Sequence, residues 1–223
     1  MQRPMKTIVH TTAIEERLWL SQKAFELMLT RPDNFIFSAG QRINILGDGI
    51  SRDYSIASGI SEPVIRLCIR HVPEGRMSAW LATCALGTEL RIEGPSGYFQ
   101  FNLSGRSVVC VSTGTGIAPF CAMARSGIAG FTLLHGVRQP EELYYQTTMA
   151  AAAGHYVACI PGGSQQMPAC FDGRVTDYMR TRIEAGVYDF YLCGRGEMIR
   201  DATLLVDERF SGSRVFSEIF YPE

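Results

Sequence analysis

Val111-Ser-Thr-Gly-Thr-Gly-Ile-Ala-Pro-Phe120 is the stretch on which the fold turns. It continues the apolar run Ser107-Val-Val-Cys-Val-Ser112, which reads as a strand, and it opens a helical pattern over residues 117–126. Gly114 and Gly116 let the backbone turn sharply and approach a ligand with no Cβ in the way. Pro119 suits the first turn of a helix, where its missing N–H costs nothing. The bare amides and dipole of such a helix start favour a phosphate. A Gly-x-Gly turn also serves packing alone. The strand before it and the helix after it are what give the phosphate reading its weight.

Working outward toward the C-terminus, residues 131–135, 156–160, 188–193 and 214–220 read as further strands, and residues 141–153, 175–185 and 197–209 as helices. Strands that are apolar throughout and alternate with helices imply a doubly wound parallel sheet covered on both faces. Toward the N-terminus the pattern is different. Residues 7–12, 16–21, 24–30, 42–45, 53–58, 64–71 and 89–93 are short strand-forming runs separated by Gly, Pro, Asp or Ser, with one helix near residues 77–85. Many short strands with frequent turns suggest an antiparallel β-barrel. The change falls around residues 102–106, which gives a barrel domain over residues 1–103 and an α/β nucleotide-binding domain over residues 104–223.

The 223 residues are 46% hydrophobic and 19% charged, as expected of a folded globular chain rather than a disordered one. A formal net charge of -1, with no long Lys/Arg run, gives no overall field for nucleic acid or an anionic membrane. No window approaches the ~20 continuous apolar residues of a membrane span. The first residues lack the apolar core of a signal peptide. The seven cysteines form no CxxC and no cluster suited to zinc or iron–sulfur, so no metal is expected. They read as reduced, buried thiols in a cytoplasmic protein.

Two segments of the first half add chemistry. In Arg52-Asp-Tyr-Ser-Ile-Ala-Ser58 an extended backbone sets Arg52 and Tyr54 on one face and Ser55 on the other, a cation and a flat aromatic side by side. The same residues also suit a half-exposed strand with a surface arginine. In His71-Val-Pro-Glu-Gly-Arg-Met-Ser-Ala-Trp-Leu81, Gly75 and Arg76 at a helix start offer amides and a cation to an anion, and Ser78 could equally be a simple helix cap.

Taken in order, these segments resemble the ferredoxin–NADP reductase family, from about Phe25 to the end of the chain. Arg52-x-Tyr54-Ser55 looks like the family's flavin signature, which implies that Arg52 contacts the flavin diphosphate, Tyr54 packs on the ring and Ser55 lies near its reactive nitrogen. Gly75-Arg76-Met77-Ser78 resembles the second flavin segment and implies FAD rather than FMN. Ile69, Arg70 and Val72 occupy the strand that lines the ribityl and phosphate portion, and Gly94-Pro95-x-Gly97 is similar to the turn that closes the barrel. In the second half, Thr113-Gly114-Thr115-Gly116-Ile117-Ala118-Pro119 is like the family's nicotinamide-dinucleotide loop. His135-Gly136-Val137-Arg138, followed by Glu142-Leu143-Tyr144, resembles its next signature. Tyr191-Leu192-Cys193-Gly194 with Met198 resembles the segment that brings a Cys–Gly pair beside the nicotinamide, and Glu218-Ile219-Phe220 the stretch that places an aromatic near the flavin.

The resemblance implies a flavoprotein that takes hydride from NADH or NADPH and releases single electrons, with Ser55, Cys193 and Glu218 at the reacting end. The acceptor is expected to be a separate molecule, an iron–sulfur protein, flavodoxin or oxygenase component. A small acceptor such as free flavin, a ferric chelate or a quinone is the alternative, and a non-catalytic sensor module on the same fold is a third. Family members that prefer NADP carry a Ser-Arg pair after the third α/β strand. Here Ile160-Pro161-Gly162-Gly163 has no cation, a lean toward NADH unless Arg138 or Arg174 substitutes.

Overall fold

The computed structural model describes residues 8–220 apart from residues 48, 103 and 166. In the first half, β1 (Val9–Ser21), β2 (Ala24–Thr30), β3 (Arg42–Gly47), β4 (Ile50–Ser55), β5 (Val64–Arg70) and β6 (Glu89–Ser96) form one sheet in the order β4-β3-β6-β1-β2-β5. All its ladders are antiparallel. Its two ends meet: Ile56 bridges Leu67, and the Ala57 amide donates to the Arg66 carbonyl at 2.7 Å. The sheet therefore closes into a barrel and leaves no bare edge there. Phe25, Leu27, Ile43, Ile45 and Ile92 fill the interior, and α1 (Arg76–Thr83) adds Met77 and Leu81.

The runs at residues 7–12 and 16–21 are one strand in the described chain, from Val9 onward. β1 serves two partners, β6 over Val9–Ala13 and β2 from Ile14, with a register irregularity between Ile14 and Glu16. That irregularity lets a single strand bend from one wall of the barrel to the next. β2 is buried over Ala24–Leu29 on both faces. Phe25, Leu27 and Leu29 point into the barrel, while Ala24 joins a cluster containing Phe120 and Cys121 of the second half.

The second half has β7 (Ser107–Thr113), β8 (Thr132–Gly136), β9 (His155–Cys159), β10 (Tyr188–Arg195) and β11 (Arg214–Phe220), all parallel, in the order β11-β10-β7-β8-β9. Alternate residues face alternate helices. Cys110 and Tyr191 pack toward α2 (Ala118–Arg125) and α3 (Gln146–Ala152), whereas Val111 and Leu192 pack toward α4 (Val175–Arg182) and α5 (Gly196–Arg209). The helix expected over residues 141–153 is only its last part. Tyr145 takes φ 56, a left-handed backbone, so Pro140–Glu142 form a separate 3-10 turn and α3 starts at Gln146.

The chain runs β7, β8, β9 in one direction, then returns to the opposite side of β7 for β10. This reversal opens a crevice at the carboxyl ends of β7 and β10, where open α/β sheets bind ligands. The barrel is tied across that side. The Ser21 and Tyr144 hydroxyls lie 2.9 Å apart, Lys23 reaches Glu142 at 2.6 Å, and the Arg125 guanidinium donates to the Ala57 carbonyl at 3.1 Å.

Candidate active site

The crevice is built by backbone contact. A Cβ on Gly116 would stand 2.5 Å from the Cys193 carbonyl oxygen, and one on Gly194, at φ +132, would strike the Thr113 hydroxyl. Gly136 has the Val175 side chain in the same relation at 2.8 Å. These three glycines let the ends of β7, β8 and β10 and the helix after β9 close on one another. Gly114 is different. Its φ is +56, and a Cβ there would meet nothing within 4 Å, so its surface is open. A 3-10 turn, Gly114–Ile117, leads from it into α2, with no side-chain cap on its first amides. Thr113 and Thr115 are half-buried beside it, and Ala118 and Pro119 turn into the core, so any contact of theirs with a ligand runs through backbone. An open turn with unclaimed amides fits a dinucleotide phosphate.

On the barrel side, Arg52 is exposed and donates to the Ser51 carbonyl at 2.9 Å, and Tyr54 is half-buried against the barrel core. Gly75 is the extended N-cap of α1, again without a side-chain cap, and Arg76 is exposed at its first position. Met77 is buried in the barrel, and the buried Ser78 hydroxyl accepts from the Val72 amide at 3.2 Å. Ser78 thus holds the loop ahead of α1 rather than capping the helix. Ile69 fills the barrel, Arg70 is exposed at the end of β5, and Val72 is half-buried just beyond it. The first-turn amides of α1 and Arg76 suit a diphosphate in the same way as the Gly114 turn.

The two halves meet at Ser55. Its hydroxyl donates to the Glu218 carboxylate of β11 in a short, buried hydrogen bond. Glu218 lies 3.8 Å from Arg42, which also pairs with Asp53 at 3.1 Å. Burial raises the Glu218 carboxyl above the usual carboxylate range, and Ser55 and Arg42 draw it partly back. Cys193 is the register partner of Glu218 on one side and of Ser112 on the other. Burial, and secondarily the Glu218 charge, push its thiol well above the ordinary range, so it is present as a neutral thiol. Cys193 therefore suits packing and alignment and not nucleophilic attack. Phe220 is half-buried against the same cluster. Tyr221, the other aromatic of that terminal stretch, lies outside the described residues.

Of the residues singled out in the two halves, Ser55, Glu218 and Cys193 are brought together at the seam. Sequence reasoning missed Arg42, Asp53 and Arg195. Arg42 and Asp53 lie on β3 and β4, and only the pairing of those strands brings them to Ser55. Arg195 follows Cys193-Gly194 directly, and its amide donates to the Thr113 hydroxyl at 3.1 Å. Arg138 lies two residues past the end of β8 and is exposed.

The barrel carries its Arg52-x-Tyr54-Ser55 segment to the switch point of the doubly wound sheet, the fold class in which a β-barrel is set against a dinucleotide-type α/β unit. Residues 12–101 match the oxidoreductase FAD-binding domain and residues 110–203 the oxidoreductase NAD-binding domain. The chain belongs to the ferredoxin–NADP reductase-like flavoprotein oxidoreductases. It is 30% identical over 177 residues to the toluate 1,2-dioxygenase electron transfer component of Pseudomonas putida, covering 73% of this chain and 52% of that one. It is 28% identical over 231 residues to the aromatic O-demethylase reductase subunit of an Amycolatopsis, covering 95% and 69%. The solved cytochrome P450 reductase of Amycolatopsis superposes with a TM-score of 0.83 at 25% identity, over 97% of this chain and 72% of that one. A ferredoxin NADP+ reductase from Neisseria gonorrhoeae shares the fold at a TM-score of 0.80 and 20% identity, covering 96% and 99%. The chain spans about half the length of several curated relatives it matches, 52% and 53% in two of them.

Proposed function

We propose that the chain is an FAD-dependent NAD(P)H reductase that feeds electrons singly to a separate acceptor. The observation that carries this reading is the buried Ser55–Glu218 hydrogen bond across the seam, with Cys193 beside it. It joins the flavin-type segment of one half to the nucleotide crevice of the other. In this reading residues 1–103 hold FAD and residues 104–223 hold the nicotinamide dinucleotide. Arg52, Arg76 and the first amides of α1 grip the flavin diphosphate, and Tyr54 and Phe220 flank the ring. The Gly114 turn, open on its outer side, seats the dinucleotide, and Gly136 and Gly194 let the strand ends beneath it pack closely. When bound, the flavin supplies the conversion of a two-electron donor into one-electron steps. Ser55 and Glu218 hold a proton at the reacting edge, and Cys193 fixes the depth at which the nicotinamide lies.

The relatives named as an electron transfer component of a dioxygenase and a reductase subunit of a demethylase favour an oxygenase component or iron–sulfur protein as acceptor. The lean toward NADH is supported by Asp172, whose carboxylate accepts from the Gly162 amide at 2.6 Å and puts a negative charge beside the turn after β9. A 2′-phosphate there would face that carboxylate, and Ile160–Gly163 itself supplies no cation to hold it. All seven cysteines are unpaired, which suits a reducing, cytoplasmic setting. No helix among the described residues is long and apolar enough to cross a membrane.

Stopped-flow mixing of the FAD-loaded protein with NADH and with NADPH tests the reading. Bleaching of the flavin absorbance within the dead time or shortly after, faster with NADH, is expected. Protein that binds no flavin, or flavin that neither nucleotide reduces, refutes it.

A further inference from the structure

We infer that Arg195, with Arg138 and Arg70, forms a three-arginine seat for the diphosphate of the nicotinamide dinucleotide, a deepening that rests on the function proposed above. Strand order is the first support. β7 lies between β10 and β8, so Arg195 at the end of β10 and Arg138 just past the end of β8 flank the Gly114 turn that leaves β7. The two backbones are two strand spacings apart, roughly 10 Å, within reach of one diphosphate for two long side chains. The Arg195 amide is pinned to the Thr113 hydroxyl at 3.1 Å, so this arginine starts from the root of the turn. Arg70, at the end of β5, approaches from the barrel. The family resemblance sets it along the flavin's phosphate portion, and its charge is felt at Arg195, so in this inference it serves the nicotinamide dinucleotide. It pairs with Ala24, and the neighbouring Lys23 is bonded to Glu142 at 2.6 Å, the same carboxylate that accepts from the Arg138 amide at 3.0 Å.

The open surface at Gly114 is the second support. A positive-φ glycine with nothing within 4 Å of its Cβ position stands between these cations. Among the described residues, none of the three arginines has a carboxylate within ion-pair distance, whereas Arg42, Arg66 and Arg125 all do. Partial burial first, and then the charges of Arg138 and Arg70, hold the Arg195 guanidinium below the ordinary arginine range, offset only in part by Glu197 and Glu142. Three like charges with no carboxylate in ion-pair contact, beside an open turn, are what a dianionic ligand relieves. The diphosphate is common to NADH and NADPH. The seat therefore governs affinity for both and leaves the choice between them to the turn after β9.

The test uses FAD-loaded protein, wild type and Arg195→Gln, titrated calorimetrically with ADP, which carries the diphosphate alone, and with 2′-AMP, which carries the other phosphate. ADP affinity is expected to fall roughly tenfold in the variant, within the range of one lost charge-assisted bond, with 2′-AMP unchanged. The KM for NADH and for NADPH rises by the same factor, and Arg195→Lys recovers part of the loss. Unchanged ADP binding overturns the inference, as does weakening confined to 2′-AMP and NADPH, or loss of FAD in place of the nucleotide effect. Because ADP binding is read without turnover, an inactive wild type that still binds ADP sinks the proposed reductase and leaves the seat standing.

Discussion

Cys193 shows how far a single position was legible. The Cys-Gly pair stood out in the sequence, but only the sheet shows why a thiol there is inert: it is fully buried, and its register partner Glu218 adds a negative charge. Cys193→Ala removes one sulfur from a packed layer and leaves Ser55, Glu218 and the barrel in place. The flavin should stay bound, and the single-turnover rate of flavin reduction should drop about tenfold or more, since misplacement of ~1 Å alone costs up to 10²-fold. An unchanged rate removes Cys193 from the reacting end. Ser55 and Glu218 were legible for the same reason, a local motif each. Arg42 and Asp53 were not, because what recruits them is the β3–β4 pairing, Arg42 opposite Ser55, and no local pattern states which strands pair.

At the level of elements, the parallel half was largely readable, because strands buried on both faces leave unbroken apolar runs. The places where reading failed have physical causes. β1 continues through polar residues because it changes partner midway, and α3 starts late because Tyr145 adopts a left-handed backbone. The glycine loop was found, yet the distinct tasks of its two glycines were not. Gly116 touches the backbone of β10, whereas Gly114 faces open space. Gly116→Ala should therefore wedge β7 from β10 and cost several kcal/mol, as overpacking against an immovable carbonyl does, with nucleotide affinity falling alongside. Gly114→Ala should cost only about 1 kcal/mol of backbone strain. Thermal denaturation of the two variants gives the order directly, and a Gly114 variant less stable than the Gly116 variant contradicts this packing.

For the whole molecule, the sequence divides into two chemistries but does not say how the halves face each other, because the ties between them join residues far apart in the chain. Arg125 is the most connected of these. From the last turn of α2 it donates to the Ala57 carbonyl at 3.1 Å, lies 3.6 Å from Glu26 and 3.9 Å from Glu62, and stacks over the Tyr145 ring at 5.1 Å. Glu26 is buried on β2 and keeps Arg66 at 2.7 Å when Arg125 is removed, so the barrel itself survives. Arg125→Ala should then cost roughly 1–3 kcal/mol, the range for losing one partner of a shared buried carboxylate. The loss should fall on the seam. Both tryptophans, Trp19 and Trp80, lie in the barrel half, so their fluorescence follows the barrel alone, while among the described residues four of the five α-helices, α2 to α5, lie in the second half and dominate the helical circular dichroism. In the intact protein the two signals should unfold together in urea. In Arg125→Ala they should separate, because α2 no longer couples the nucleotide turn at its start to the barrel at its end. If they remain coincident, the seam does not depend on this arginine, and α2 is not the strut that holds the reacting edges of the two halves in register.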